Sequence, residues 1–206
     1  MSFYHEKSRQ LHERFKTRAL ADQLYTTRRH DEFSEWDRDV IRNARMFFLA
    51  TADEAGRPDC SIKGGDAGFV HIVAENALIF PDYDGNGMFR SIGNILANPY
   101  VGMLFVELEG QFRKLRINGI ASVDDTSSVT AKLPGAKLVV RVTALDIFPN
   151  CSRYLPEESG SITSVFSPRE GHTPPEPFWK SKPDLRPFVP TDTANGSVQR
   201  ATAVED

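Results

Sequence analysis

Cysteine is scarce. Cys60 and Cys151 are the only two in 206 residues, too few and too far apart to define a zinc site or a small disulfide scaffold, so both read as structural thiols. No apolar run approaches the length that crosses a bilayer, and Glu6, Lys7, Arg9, His12, Glu13 and Arg14 stand where a signal peptide would need an apolar core. A cytoplasmic chain without membrane contact is expected. Neither sign of charge dominates: the net charge is −3 with acids and bases interspersed, which argues against a nucleic-acid partner. The five histidines are scattered and no transition-metal spacing occurs, so no metal is expected. A G-x-S-x-G elbow, a P-loop, a Rossmann glycine fingerprint and internal repeats are all missing.

What the chain does have is concentrated in FPDYDGNGMFRSIGNILANPYVGMLF, Phe80 to Phe105. An apolar strand, a turn, a short helix and a second strand follow one another there. Asp84, Gly85, Asn86 and Gly87 are turn formers. Asn86 is placed to cap a helix whose first N–H groups have no intrahelical partner, and Arg90 and Ser91 fall in its first turn. A helix start with a cation and a hydroxyl suits a phosphate. The same residues also fit an ordinary capped helix with a solvated arginine.

A chain of this length is expected to build one core. Leu11, Phe15, Ala19 and Leu24 recur at about helical spacing, and Ser34 with Asp37 resembles a capping box. Residues 1–45 are therefore expected to form a helical N-terminal segment, with helices near 6–24 and 35–44. From 46 to 150 the texture is short β runs: MFFLAT, PDCSIKG, FVHIVA, ALIF, VGMLFV, FRKLRINGIASV and AKLVVRVTALDIF. Turn signals at Asp53–Pro58, Glu75–Asn76 and Glu109–Gly110 separate them. About six or seven strands with one internal helix, near 87–97, predict a mainly β fold, an antiparallel barrel with peripheral helices. On that helix Met88, Ile92, Ile95 and Leu96 form the expected apolar stripe. Residues 151–190 read as a wrapping C-terminal extension anchored by Phe178, Trp179 and Phe188, and residues 191–206 as a disordered tail.

Strand alternation adds donors. In PDCSIKGG, Asp59, Ser61 and Lys63 share a face expected to lie opposite the core side, with Cys60 and Ile62 on the other. In FRKLRINGIA, Leu115, Ile117 and Gly119 alternate with Lys114, Arg116 and Asn118. These polar faces also fit the exposed outer side of a half-buried sheet. Together with the helix start they suit a ligand that has a phosphate at one end and hydrogen-bonding carbonyls at the other. Flavin mononucleotide (FMN) has that character.

The order FFLATADEAGRPDCSIKGG, FPDYDGNGMFRSIGNILANPYVGMLF, LRINGIA resembles the FMN-binding split-barrel family related to pyridoxamine 5′-phosphate oxidase, most closely its branch of predicted flavin-nucleotide-binding proteins. The similarity spans about residues 35–155, and NCSRY and PPEPFWK also look like that branch. The resemblance implies an antiparallel split β-barrel and a homodimer with FMN at the subunit interface. It places Ser61, Lys63 and Gly64 on the strand beside the flavin, and Asn86, Arg90 and Ser91 around its phosphate. Asn94 matches a recurrent polar position on the same helix. Arg116 and Asn118 match the strand that approaches the flavin or its partner-subunit rim. Three departures stand out. Arg90 is followed by Ser91 where pyridoxamine phosphate oxidases carry a basic pair, Lys114 replaces their glutamine, and Trp179 and Arg186 only partly echo their C-terminal substrate signature.

The expected function is that of an FMN-dependent oxidoreductase acting on a small-molecule substrate or a reduced nicotinamide. Tyr83, Arg116 and Cys151, the last followed by Arg153, are the nearest candidates for substrate contacts. The alternatives are a protein that stores or senses FMN, or another planar ligand such as haem, without turnover, and a flavin-free structural dimer.

Overall fold

Runs of β-branched and aromatic residues between turn formers give seven strands among the described residues: β1 (Met46–Ala52), β2 (Pro58–Gly64), β3 (His71–Ala74), β4 (Ala77–Asp82), β5 (Tyr100–Val106), β6 (Lys114–Asp124) and β7 (Leu138–Asn150). The computed structural model describes residues 3–107, 113–126, 130, 133–151, 153–154 and 164–190. The turn expected at Glu109–Gly110 and the tail expected at 191–206 lie outside them. All strand pairs are antiparallel. They form one sheet in the order β2-β1-β5-β6-β7-β4-β3.

The sheet is rolled. Phe47 on β1 and Phe80 on β4 are separated by three strands in that order, yet their ring centroids are 5.0 Å apart, edge to face. Phe105 lies 5.1 Å and Phe69 5.9 Å from Phe47, so the four rings fill the centre of the roll with Leu49, Leu78, Met103, Leu115, Ile117, Val140, Val142 and Ile147 around them. Burying each such side chain stabilises the fold by about 1.5–3 kcal/mol before entropy is counted. No ladder joins β2 to β3 in this sheet order. The split is spanned instead by a side-chain tie, Lys63 Nζ donating to Asp82 Oδ1 at 3.0 Å. Between β6 and β7 the register shifts at Asn118/Gly119. A Cβ on Gly119 would stand 2.5 Å from the Thr143 carbonyl oxygen, so glycine lets the two strands approach at the bulge.

The chain divides into two compact units, Arg28–Pro175 and Met1–Thr27 with Glu176–Asp206. In the first, α3 (Glu35–Asn43) begins with the expected capping box: Asp37 N–H donates to Ser34 Oγ, and Ser34 N–H donates to Asp37 Oδ2. Its Val40 and Ile41 are buried.

In the second unit the helix expected over 6–24 is two helices, α1 (Glu6–Arg14) and α2 (Arg18–Arg28). Lys16 adopts φ 53°, with Lys16 N–H donating to the Glu13 carbonyl and Thr17 N–H to the His12 carbonyl. That pair of bonds is a Schellman stop, and helical spacing of apolar residues carries no trace of it. Short 3₁₀ turns at Phe178–Ser181 and Arg186–Phe188 complete this unit, where Leu185 is buried and Gln23 donates to the Asp184 carbonyl at 3.0 Å.

The internal helix α4 spans Arg90–Ala97, three residues shorter at its start than expected over 87–97. Gly87 (φ 76°) and Phe89 (φ 50°) occupy the left-handed region, which a right-handed helix cannot contain. Asn86 does not cap the helix: its Oδ1 accepts from Met88 N–H at 3.0 Å, a local turn bond, and Phe89 is the N-cap residue without a side-chain bond. The expected apolar stripe shrinks accordingly. Ile92 and Ile95 are buried, whereas Met88 precedes the helix and Leu96 faces outward.

Candidate functional site

A groove of about 590 Å³ opens between β2, the end of β4, the loop that follows it and the start of α4. Edge strand β2 turns Asp59, Ser61 and Lys63 toward α4 and β4, half-buried, and leaves Cys60 and Ile62 exposed. The alternation is the expected one with its sense reversed. The polar residues, expected opposite the core side, face the groove because α4 covers them, and Ile62 is 60% exposed. Ser61 Oγ and Ser91 Oγ are hydrogen-bonded at 3.0 Å, joining β2 to the first turn of α4. Ser91 itself is buried.

Among the described residues three cations line the groove, and each meets a carboxylate there. Lys63 donates to Asp82, Arg90 Nε donates to Asp59 Oδ1 at 3.2 Å, and Lys137 is bonded to Asp84. The Lys137 ammonium beside Asp84 holds that carboxyl below the usual range, chiefly by hydrogen bonding and secondarily by charge. First-turn N–H groups, paired hydroxyls and cations together make an arrangement that can hold a phosphate. Among the described residues no cluster of three or more His, Cys, Asp or Glu could hold a metal ion.

Of the residues singled out from sequence, Ser61, Lys63, Gly64, Asn86, Arg90 and Ser91 line this groove, as does Tyr83. Asn94 does not. Its Nδ2 donates to Thr51 Oγ1 at 3.0 Å, satisfying a buried hydroxyl. Asn118 lines a second, shallower hollow of about 420 Å³ with Thr51, Tyr100, Leu145 and Asp146. Arg116 is exposed on β6, with its guanidinium carbon 5.5 Å from the centre of the Phe148 ring. Near the same end, Arg153 Nε donates to Cys151 Sγ at 3.2 Å. Burial is the main cause holding the Lys114 ammonium below the usual lysine range; Arg116 and Arg153 act in the same direction and Cys151 opposes them. Lys137 escapes sequence reading because no local motif points to it. It reaches the groove only because β4 pairs with β7, Asp82 opposite Leu138.

No curated protein matches the chain. Among solved structures it is similar to HupZ of Group A Streptococcus, with 20% identity over 57% of this chain and 93% of that one and a TM-score of 0.45. It is also similar to an FMN-binding protein from Syntrophomonas wolfei, with 10% identity, 71% and 96% coverage and a TM-score of 0.41. HutZ, a heme storage protein from Vibrio cholerae, is similar at 14% identity, 58% and 92% coverage and a TM-score of 0.39. No helix among the described residues is long and apolar enough to cross a membrane. The family described as pyridoxamine 5′-phosphate oxidase matches residues 33–153, more than half of the chain and the whole antiparallel sheet, and the chain belongs to that family.

Proposed function

We propose that the groove binds the phosphate of FMN and that the chain is an FMN-dependent oxidoreductase acting on a small molecule. The observation that carries this reading is the convergence of Ser61, Ser91, Arg90 and Lys63 on one groove at the start of α4. The two hydroxyls and the helix start suit phosphate oxygens, and Arg90 supplies a planar donor at the rim. FMN, when bound, supplies hydride and electron transfer at its ring. The chain's own part is to hold the phosphate end and to present the face of Tyr83, Met88 and Phe89, each partly exposed beside the groove, as an apolar wall. The reading includes a second copy of the chain with FMN at the subunit interface. It is supported by the exposed Ile62, Tyr100 and Leu145, apolar surface on three strands.

A visible spectrum of the gently purified protein tests the reading, with flavin bands expected. Titrating the apoprotein with FMN and riboflavin should show tighter binding of FMN. Sedimentation with FMN present should show a dimer at micromolar concentration. Equal affinity for the two ligands would remove the phosphate from the groove.

A second reading, FMN held without turnover, is favoured by one observation: the described groove carboxylates Asp59, Asp82 and Asp84 are all in ion pairs, and while those pairs are formed none of them is a free general base. Reduction of the bound flavin by a nicotinamide cofactor, followed by reoxidation with an added acceptor, separates turnover from storage.

A further inference from the structure

The three ion pairs of the groove differ in how firmly they are held. Lys63 and Asp82 are 19% and 10% exposed, whereas Lys137 and Asp84 are 53% and 80% exposed. Separating the first pair would strand two desolvated charges and open the barrel's split. Separating the second costs little, because Asp84 is already in contact with water and exposed pairs contribute weakly. The backbone around Lys137 is fixed even so. Its N–H donates to the Asp82 carbonyl at 2.9 Å, and Gly135, with φ 79°, sits against the Tyr83 ring. The side chain thus hangs from a firm anchor on the groove wall, with a solvated carboxylate to hold it among the described residues.

We propose that Lys137 is an anion-binding residue of this groove, kept aimed at it by Asp84 until a phosphate takes that carboxylate's place. The proposal rests on the reading of the groove as a phosphate site and adds to it a residue and a selection rule. A phosphate dianion brings three acceptor oxygens and more charge than the carboxylate it displaces, so it wins the exchange. A monoanion such as chloride or acetate has no such advantage and leaves Asp84 in place. Asp84 is then a placeholder that neutralises the lysine in the empty groove and makes the site selective for doubly charged phosphate esters. Arg90, 58% exposed and paired with Asp59, makes the same exchange on the opposite wall. Lys63 stays with Asp82.

The test is a double-mutant cycle read by flavin fluorescence. Lys137→Ala should weaken FMN binding about tenfold, the scale of one partly screened charge-assisted hydrogen bond, and leave riboflavin unchanged. Asp84→Asn should tighten FMN about threefold by freeing the lysine, and this gain should vanish in the Lys137→Ala background. An unaffected Lys137→Ala variant, or a gain from Asp84→Asn that survives without the lysine, overturns the proposal. Arg90→Ala is run alongside. If it loses the preference for FMN over riboflavin while Lys137→Ala keeps it, the groove reading stands and only the role of Lys137 falls. If wild type shows no such preference, the groove reading falls, and inorganic phosphate decides the rest. The side-chain ammonium signal of Lys137 in nitrogen-labelled protein should shift as phosphate is added, and at lower phosphate in Asp84→Asn. A signal that phosphate does not move refutes the assignment whatever FMN does.

Discussion

Among the described residues the lysines and the arginine of the groove each stand beside a carboxylate, whereas at the start of β6 the Lys114 ammonium is held down by burial, with Arg116 and Arg153 acting in the same direction and Cys151 opposing them. The residue types are the same and their surroundings differ. The three described cations of the groove are matched by three carboxylates, so an anion arriving there would have to displace one of them. At the start of β6, burial and the neighbouring guanidiniums disfavour the charged form of Lys114. Sequence alternation placed cations on both strands; only the fold distinguishes their two settings.

The most buried of the groove's ion pairs should give the largest effect. Lys63→Ala leaves Asp82 partly buried and unpaired at the split, and should cost about 2–3 kcal/mol of stability, seen as a lowered midpoint in urea. Replacing both partners, Lys63→Met with Asp82→Leu, should recover most of that loss. If the single variant is as stable as wild type, the tie is not what spans the split.

Ligand binding sharpens the contrast at the next level. Arg90→Ala should weaken FMN binding by about 1.5–3 kcal/mol and affect riboflavin less, because only FMN carries the phosphate. Arg116→Ala should act on both ligands alike if that side chain meets the ring from a partner subunit. Titration calorimetry with the two ligands decides it, and equal losses for Arg90→Ala would return α4 to an ordinary helix start.

The smallest effects lie in pH dependence, where the two regions should respond at opposite ends of the scale. Lys114 has a folded pKa below its model-compound value of 10.5, so folding favours its neutral form. Its contribution to stability rises as pH climbs from the lowered folded value toward 10.5. Asp84 has a folded pKa below 3.8, so its contribution is present above that value and is lost as pH falls through the folded one. Lys114→Met should flatten the alkaline limb of a stability profile and Asp84→Asn the acid limb. An alkaline limb unchanged by Lys114→Met would show that the ammonium is not strained by its surroundings.

Much of the fold was legible because strand signals are local. MFFLAT, PDCSIKG and ALIF begin where β1, β2 and β4 begin, since apolar alternation and flanking turn formers act within a few residues. Three features were not legible. The left-handed Gly87 and Phe89 push the start of α4 to Arg90, and no residue preference of phenylalanine signals that conformation. The inward face of β2 depends on α4 lying across it, and Lys137 depends on strand pairing with β4. Ser61, Lys63, Arg90 and Ser91 came together as expected because strand and helix-start motifs bracket them in sequence. Asn94 went instead to the Thr51 hydroxyl, a demand set by burial of a residue forty-three positions away.

The strand order also governs how the chain can fold as it is synthesised. The hairpins β1–β2 and β3–β4 emerge first, but they attach to opposite sides of the β5–β6–β7 meander, which is made last. Isolated hairpins are marginal in water, so Phe47 stays without its partner ring Phe105, and β4, which carries Phe80, without its neighbour β7, until the meander leaves the ribosome and offers both its edges. Closure of the barrel is therefore a late, long-range event expected to be slow. In the interval two apolar hairpins with open edges are exposed, the stage at which this chain most needs a chaperone.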